Sequence, residues 1–333
     1  MLASIAKLRE DLFTSTGAAA KAMAPTRNGF GDALMELGET NKDVVVLCAD
    51  LAESTRVQPF KDKYPERYVE IGVAEQNLAT VASGLAVYGK IPFIASYATF
   101  SPGRNNEQIR TTISLNDVPV KVAGMHAGVS VGPDGATHQA LEDIALMRAQ
   151  PNMTVVSPCD AEEARKATLA AAASGKPIYL RFSREKTALM TTKDTPFTIG
   201  KAQLVWLEEK PRVAVFATGP LLYNALLAAK HLEGELAVSV FNIHTVKPLD
   251  VKTVVAAAKD AGAVVTIEEH QIAGGLGSAI AEALAQEYPV PIEFIGVRDQ
   301  FGQSGDMQQL FEHYGLGVKH IVQAIQKVDT RRK

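Results

Sequence analysis

The sequence predicts an α/β protein of two domains, each a three-layer arrangement with a largely parallel sheet between helices. Three observations support this fold class. The 333 residues are enough for two domains that each bury a core. Strand-like apolar runs alternate with helical patterns, as in βαβ units. The alternation stops around Lys186–Lys201, in a connector without periodicity, and then resumes. We therefore expect a helical lead-in over residues 1–22, a first domain over 23–190 and a second over 191–333.

The elements of the first domain follow from apolar periodicity. A helix over about Asn28–Leu37 ends at Gly38. The apolar run Val44–Leu47 is typical of a strand buried on both faces of a parallel sheet. Further strands are expected at Tyr68–Ile71, Ile91–Ala95, Val118–Ala123, Met153–Val156 and Ile178–Phe182, with helices at Glu75–Val87, Glu107–Ser114, Ala140–Ala149 and Ala161–Ala173.

The second domain repeats the alternation. Its strands are expected at Val213–Phe216, Ala237–Phe241, Ala263–Ile267 and Ile292–Ile295, and its helices at Leu221–Leu232, Asp250–Ala261, Gly277–Glu287 and about Gly317–Lys327. Glu268, Glu269 and His270 follow a strand beside a glycine loop; anion binding is one interpretation, and a role in packing and dimer contact is the better one.

Composition excludes several classes of protein. Hydrophobic residues make up 47% and charged residues 21%, as in ordinary globular proteins, and the net charge of −3 argues against a nucleic-acid surface or a polybasic membrane patch. No apolar run approaches the roughly 20 residues that span a bilayer. The N-terminal segment carries charges too early for a secretory signal. Cys48 and Cys159 form neither a CxxC motif nor a zinc spacing, so a reducing cytoplasm is expected.

Glu75 stands out because of its place in the predicted order of elements. The segment Tyr68–Val87 begins as a strand, turns at Gly72 and continues as a helix. Glu75 lies at the start of that helix, where backbone donors and the positive helix end can hold its carboxylate ionised. Ligands of open α/β sheets bind at such strand ends. The alternative is a glutamate that only complements the helix dipole.

The loop within His126–Glu142 contains the next candidates. Turn residues dominate its centre, and His126, Asp134 and His138 flank the turn at a predicted strand end. Each has a structural alternative, such as Asp134 supporting the turn and Thr137 capping the next helix. Together they favour a polar ligand.

Six further side chains lie at predicted element ends. The arginines offer planar cationic groups suited to phosphate or carboxylate, although a lone arginine is usually only a surface group. The two aromatic residues are either core or a clamp for a flat ring. The six are Arg27, Asp50, Ser54, Tyr97, Phe100 and Arg184.

Several common motifs do not occur. The sequence has no GxxxxGK[ST], no HExxH and no GxSxG. Gly274-Gly275-Leu276-Gly277 resembles a dinucleotide-binding loop, but Ile280 occupies the position of the third glycine. Nicotinamide binding is therefore disfavoured.

Five segments together resemble transketolase. They are IGVAEQN with Glu75, CADLAEST, VGPDGATHQ, LRFSR and EEHQIAGGLGSAI, and they cover nearly the whole chain after residue 24. The chain is similar to the pyrimidine-binding plus C-terminal portion found in transketolases encoded as two polypeptides. The resemblance implies a thiamine-diphosphate-binding pyrimidine domain followed by a transketolase C-terminal-like domain.

The resemblance also implies residue roles in moving a two-carbon ketol unit between sugar phosphates. Glu75 would hydrogen-bond N1′ of the thiamine aminopyrimidine and favour its imino tautomer. Tyr97 and Phe100 would pack on that ring, with Asp50 nearby. The catalytic residues would be Glu75 and His138. Substrate would be bound by Arg27, Ser54, His126, Asp134, His138 and Arg184, with Asp134 and His138 on donor hydroxyls and the other four on phosphate.

Two departures from full-length transketolases concern the same region. Pro133 stands where those enzymes usually carry Glu. A third pyrimidine-pocket aromatic is not evident around Gly103–Asn106, where Arg104 is the candidate substitute.

One missing motif implies a partner. The family holds Mg²⁺ and the cofactor diphosphate through a GDG motif, which this sequence lacks. We therefore expect an N-terminal transketolase subunit to supply that half, in an α₂β₂ assembly. The alternatives are a 1-deoxyxylulose-5-phosphate-synthase-like enzyme, an E1 β-subunit of a 2-oxoacid dehydrogenase, and a non-catalytic partner of a thiamine enzyme.

Overall fold

The structure is a computed structural model that describes residues 5–13 and 22–332. Its strands are β1 (Met23–Ala24), β2 (Val44–Cys48), β3 (Tyr68–Glu70), β4 (Ile91–Tyr97), β5 (Lys121–Met125), β6 (Thr154–Val156), β7 (Ile178–Arg181), β8 (Thr187–Ala188), β9 (Gln203–Leu207), β10 (Val213–Ala217), β11 (Val238–Asn242), β12 (Thr245–Lys247), β13 (Val264–Gln271) and β14 (Ile292–Val297). Its helices are α1 (Thr26–Thr40), α2 (Gln58–Lys63), α3 (Glu75–Val87), α4 (Asn106–Gln108), α5 (Asp143–Ala149), α6 (Ala161–Ala173), α7 (Leu222–Leu232), α8 (Val251–Ala261), α9 (Leu276–Glu287), α10 (Met307–His313) and α11 (Val318–Asp329).

The first half of the chain supplies six strands of a seven-stranded sheet with the order β12-β6-β7-β5-β4-β2-β3. All neighbouring pairs from β6 to β3 are parallel. Every residue of β2 and β5 is buried, because helices cover both faces of a parallel sheet. Phe30 and Leu34 of α1 pack on one face, and Leu78 and Ala82 of α3 pack on the other.

The second half builds a five-stranded sheet in the order β14-β13-β10-β11-β9. The pairs among β10, β11, β13 and β14 are parallel, whereas β9 pairs antiparallel with β11. Helices α7 and α11 cover one face, with Leu226 and Ile325 in the same core, and α8 and α9 cover the other. The parallel α/β architecture expected from the alternating pattern is confirmed.

The two halves are joined by more than the connector. Strand β12 follows β11 in sequence but pairs antiparallel with β6, and so belongs to the first sheet. Near the N-terminus, the Ala6 backbone N–H donates to Leu204 O at 2.7 Å, and Phe13 packs edge-on against Trp206. Segments from each half therefore stabilise the other.

Several expected elements differ in the structure. Residues 5–13 contain a turn rather than the expected helix, while residues 1–4 and 14–21 of the expected lead-in lie outside the described residues. The expected helix at Glu107–Ser114 is one α-helical turn followed by π-helix over Ile109–Ser114. The helix expected from Ala140 begins at Asp143, because the residues before it pair with other loops. Short elements such as α2, β9, β12 and α10 were not predicted, since so few residues carry too little periodicity.

Candidate active site

The candidate residues meet at one edge of the first sheet. Strands β5, β4 and β2 are adjacent and parallel, so their carboxyl ends lie side by side. Asp50, Tyr97 and His126 lie at these three ends. Asp50 and His126 have positive φ angles of 57° and 54°, a conformation that non-glycine residues adopt rarely and mostly at functional sites or in turns.

Glu75 is buried at the first residue of α3, with 2% of its surface exposed. Arg104 Nη1 donates to both carboxylate oxygens at 2.8 Å, and Asn105 Nδ2 donates to the Glu75 carbonyl at 2.9 Å. The group that donates to this carboxylate is thus a guanidinium, whereas the sequence led us to expect backbone N–H donors. The Arg104 side chain is 50% exposed and lies 4.8 Å above the Phe100 ring centroid.

Four rings form a cluster beside this ion pair. Tyr97 and Phe100 are nearly parallel, with centroids 5.9 Å apart. His126 stacks on Tyr97 at 4.0 Å, and His138 meets the Phe100 ring edge-on at 5.5 Å. Tyr97 and Phe100 are partly exposed, so they are not simply core residues. Stacked rings at 4.5–7 Å offer a flat apolar face to another ring.

Arg27 links His126 to the loop after β2. Its Nη1 donates to Ser54 O at 2.7 Å and contacts His126 Nε2 at 2.8 Å. Since arginine can only donate, His126 Nε2 accepts and the imidazole proton sits on Nδ1, which has no partner among the described atoms. Burial, with the positive Arg27 and Arg184, lowers the pKa of His126 to about 3. The ring is therefore neutral at physiological pH.

Arg184 contacts the loop that follows β5. Its Nη1 donates to Val131 O at 2.8 Å and to Asp134 Oδ1 at 3.3 Å. Burial, with the Arg56 and Arg184 charges, lowers the pKa of Arg27. The guanidinium groups of Arg27 and Arg184 are close enough to repel each other, and two such positive charges favour the binding of an anion between them.

Two further contacts involve His138 and Asp50. Thr137 Oγ1 pairs with His138 Nδ1 at 2.9 Å and does not cap α5, whose N-cap residue is Glu142. The Asp50 backbone N–H donates to Glu70 Oε1 at 2.8 Å. The hydrogen bonds of residues 5–13 and 22–332 do not join the Asp50 carboxylate to the ring cluster.

Sequence reasoning missed a buried network behind the site. Arg181 Nε donates to Asp143 Oδ2 at 2.8 Å, and the Tyr179 hydroxyl donates to the same oxygen at 2.6 Å. Arg181 Nη2 also donates to Glu269 O at 2.8 Å, across the domain boundary. An arginine inside the apolar strand Ile178–Phe182 was the available signal, because a charge in a buried strand requires a partner.

The structure favours a packing role, and not anion binding, for Glu268, Glu269 and His270. Glu268 accepts hydrogen bonds from the N–H groups of Leu276 and Gly277, at 2.7 and 2.8 Å. Glu269 Oε1 accepts from Ser130 N–H at 2.6 Å. Buried carboxylates that already accept from the protein repel a further anion.

The geometry fits the pyrimidine end of a thiamine cofactor. Glu75 offers a buried acceptor next to the Tyr97 and Phe100 rings, and Asn105 Oδ1 and Thr99 Oγ1 are buried polar atoms without partners among the described atoms. The described parts of the chain do not offer a comparable site for a metal ion. Residues 5–13 and 22–332 contain no group of three or more His, Cys, Asp or Glu that could hold a metal ion.

Two domain families match the sequence. The transketolase pyrimidine binding domain matches residues 22–189, and the transketolase C-terminal domain matches residues 200–321. The chain is a member of the transketolase family. Transketolases depend in general on thiamine diphosphate, which agrees with the fit of the site. Within the described part of this transketolase-family chain, no helix is long and apolar enough to cross a membrane.

Relatives of this transketolase-family chain include subunits of similar length. It is 39% identical over 307 residues to the 6-deoxy-6-sulfo-D-fructose transketolase subunit SqwH of Clostridium sp. (strain MSTE9), covering 92% of this chain and 95% of that protein. It is 35% identical over 296 residues to a subunit of the apulose-4-phosphate transketolase of Phocaeicola vulgatus, covering 88% of this chain and 94% of that protein.

Solved structures share the fold. A split gene transketolase, described as an inactive beta4 tetramer, matches with a TM-score of 0.86 and 44% identity, covering 93% of this chain and 99% of that one. The transketolase of Leishmania mexicana matches with a TM-score of 0.81 at 24% identity, covering 98% of this chain and 48% of that one. At that identity the second likeness establishes the fold alone.

Proposed function

We propose that this chain is the subunit of a two-chain transketolase that carries the pyrimidine-binding half of the active site. The reaction is transfer of a two-carbon ketol unit from a ketose phosphate to an aldose phosphate. The observation that carries the proposal is the buried Glu75 carboxylate beside the Tyr97–Phe100 ring face. The two similar subunits named for sugar transketolases support it.

In this proposal Glu75 accepts a hydrogen bond from the N1′–H of the pyrimidine in its imino tautomer, and so favours that tautomer. When bound, thiamine diphosphate supplies the electron sink for the two-carbon fragment. Arg104 contacts both Glu75 oxygens and the face of the Phe100 ring. When the cofactor binds, the guanidinium therefore either shares these contacts with the pyrimidine ring or gives them up. Because Arg104 is half exposed and Glu75 is buried, the arginine is the group that moves.

The sugar phosphate is assigned to the group of residues around Arg27 and Arg184. Arg27 and Arg184 hold the phosphate by charge, with Ser54 beside Arg27. His126 stays neutral and donates from Nδ1 rather than acting as a cation. His138 and Asp134 contact the donor hydroxyls, and Asp50 lies near the cofactor.

A second polypeptide completes the site. The sequence has no GDG motif, and the described residues offer no metal-binding cluster for Mg²⁺ and the diphosphate. The relatives named as subunits support a partner chain. We infer that an N-terminal transketolase subunit holds the diphosphate and Mg²⁺ in an α₂β₂ assembly in the cytoplasm, where the free thiols of Cys48 and Cys159 persist.

The test combines this chain with a GDG-bearing partner, thiamine diphosphate, Mg²⁺, xylulose 5-phosphate and ribose 5-phosphate. Sedoheptulose 7-phosphate is expected from the pair and from neither chain alone. Glu75→Ala should lower kcat by at least about 100-fold, the contribution typical of a group that controls a proton, while keeping the complex intact. Glu235→Ala, at an exposed position in the second domain, is the control. Full activity of Glu75→Ala, or decarboxylation of a 2-oxo acid in place of ketol transfer, contradicts the proposal.

A further inference from the structure

The loop that carries Asp134 and His138 is fastened to the second domain by the next residue, Gln139. This side chain is 4% exposed. Its Nε2 donates to Val129 O and to Gln303 O, both at 3.0 Å, with Gly132 O at 3.5 Å. One buried amide therefore ties both arms of the loop to a carbonyl from the other domain. We call residues 129–138 the substrate loop.

Gln303 belongs to a segment that is itself hydrogen-bonded to the rest of the second domain. We call residues 298–306 the support loop. Gln271 Nε2 donates to Gln300 O at 2.8 Å, and its Oε1 accepts from Asp299 N–H at 3.0 Å. The Tyr314 hydroxyl donates to Phe301 O at 3.0 Å. The support loop is thus anchored to β13 and to the residue after α10.

The two loops lie so close that neither Gly302 nor Gly135 has room for a Cβ. A Cβ at Gly302 would overlap Gln139 Oε1, and a Cβ at Gly135 would lie 2.6 Å from Ser304 Oγ. At its start, the substrate loop is held again, since Ser130 N–H donates to Glu269 Oε1 at 2.6 Å. All of these contacts come from the second domain.

We propose that Gln139 is a positioning residue, through which the second domain holds Asp134 and His138 in register with the rings of Tyr97, Phe100 and His126. The inference rests on the proposed function, because it assigns these two residues to the donor sugar. Within the substrate loop, residues 129–134 form two short 3₁₀ turns broken at Gly132, and these turns lack the internal hydrogen-bond ladder of a longer helix. Such a loop keeps a productive geometry only if other groups hold it, and displacements of about 1 Å are costly to catalysis.

The first arm of the test measures the loop itself in this chain alone. Gln139→Leu removes the donors, and Gly302→Ala pushes on Gln139 from the other side. Hydrogen exchange at the amides of residues 129–138 should accelerate about tenfold in both variants, the effect of losing one or two hydrogen bonds. Gly175→Ala is the control, because a Cβ there meets nothing within 4 Å. Unchanged exchange in folded variants overturns the inference; if Gln139→Leu does not fold, Gly302→Ala decides.

The second arm measures the reconstituted pair. Both variants should raise KM for the ketose phosphate, or lower kcat, by about tenfold, while the Kd for thiamine diphosphate measured by calorimetry stays within about twofold. Equal loss of cofactor affinity and activity would mean general destabilisation and overturns a positioning role. If the wild-type pair shows no ketol transfer, the proposed function fails, and the exchange arm still decides whether the second domain holds the loop.

Discussion

At the residue scale, the Glu75–Arg104 pair is the feature that most constrains the site. A guanidinium is flat, cationic and rich in donors, and it contacts a carboxylate and a ring face at once. Those are the two partners that an aminopyrimidine requires. In the proposed function Arg104 would therefore occupy the place of the ring when no cofactor is bound, and its guanidinium pairs with the buried Glu75 carboxylate.

This interpretation predicts the effect of removing Arg104. Arg104→Met leaves a buried carboxylate without its cation and should lower the free energy of unfolding by about 1–2 kcal/mol, less than for a fully buried pair because Arg104 is half exposed. Adding Glu75→Gln should recover most of the loss. Urea unfolding of the two single variants and the double variant measures this coupling. Additive effects would show that the pair does not stabilise the chain.

The lowered pKa of His126 predicts that the stability of the protein depends on pH. Its folded pKa of about 3 lies below the ordinary value of 6.5, so between these values the unfolded chain binds the extra proton. Stability is therefore full above pH 6.5 and falls as the pH drops. From pH 7.5 to 5.0, wild type should lose about 1–2 kcal/mol more than His126→Gln in urea unfolding. Equal losses would mean that folding does not lower the pKa of His126.

At the element scale, the start of α9 depends on a side chain from the preceding strand. The N-cap of α9 is Gly275, which makes no side-chain cap, and Glu268 of β13 accepts from the first helical N–H groups instead. Burial raises the pKa of Glu268 to about 7, although the hydrogen bonds from Gly277 and Leu276 act in the opposite direction. A residue eight positions before the helix thus performs the capping.

We expect Glu268→Ala to expose this dependence. Two buried N–H groups lose their acceptor, which should cost about 1–2 kcal/mol and accelerate hydrogen exchange in the first turn of α9. Because the folded pKa is raised, the stabilisation by Glu268 is complete below its ordinary pKa of 4.5 and declines as the pH rises through 7. The difference from wild type should therefore be larger at pH 5 than at pH 8. Glu287→Ala, exposed at the other end of the helix, is the control.

At the scale of the whole molecule, the two halves are interlocked rather than merely tethered. Strand β12 completes the first sheet from within the second half of the sequence. Arg181 and Asp143 form a pair that is only 5% and 1% exposed, and Arg181 also donates to Glu269 O of the second domain. The Arg181–Asp143 pair itself lies within the first half, so opening the interface would break the hydrogen bond from Arg181 to Glu269 O and the pairing of β12 with β6, which is unfavourable.

The chain should therefore unfold in a single calorimetric transition. Arg181→Met leaves Asp143 buried and unpaired and should lower the free energy of unfolding by about 3–5 kcal/mol. The matched control is Arg212→Met, which breaks the more exposed pair with Asp329 and should cost less than about 1 kcal/mol. Two separate transitions in wild type would show that the halves fold independently.

The sequence by itself determined the fold class, because parallel strands buried on both faces leave long apolar runs such as Val44–Leu47, and helix α3 has the bounds expected from its pattern. It also brought candidates such as Tyr97 and His126 to one sheet edge, since adjacent parallel strands end together. These inferences depend on periodicity, which is local in sequence.

Only the tertiary structure decided which side chains meet. The partner of Glu75 is 29 residues away, that of Gln139 is 164 residues away, and β12 joins a sheet whose other strands all precede it in sequence. Such contacts depend on how loops and layers pack, and no repeat in the sequence records them. Local patterns therefore predicted the sheet edge on which the site lies, whereas the donors, the neutral state of His126 and the hold of the second domain on the substrate loop followed from packing.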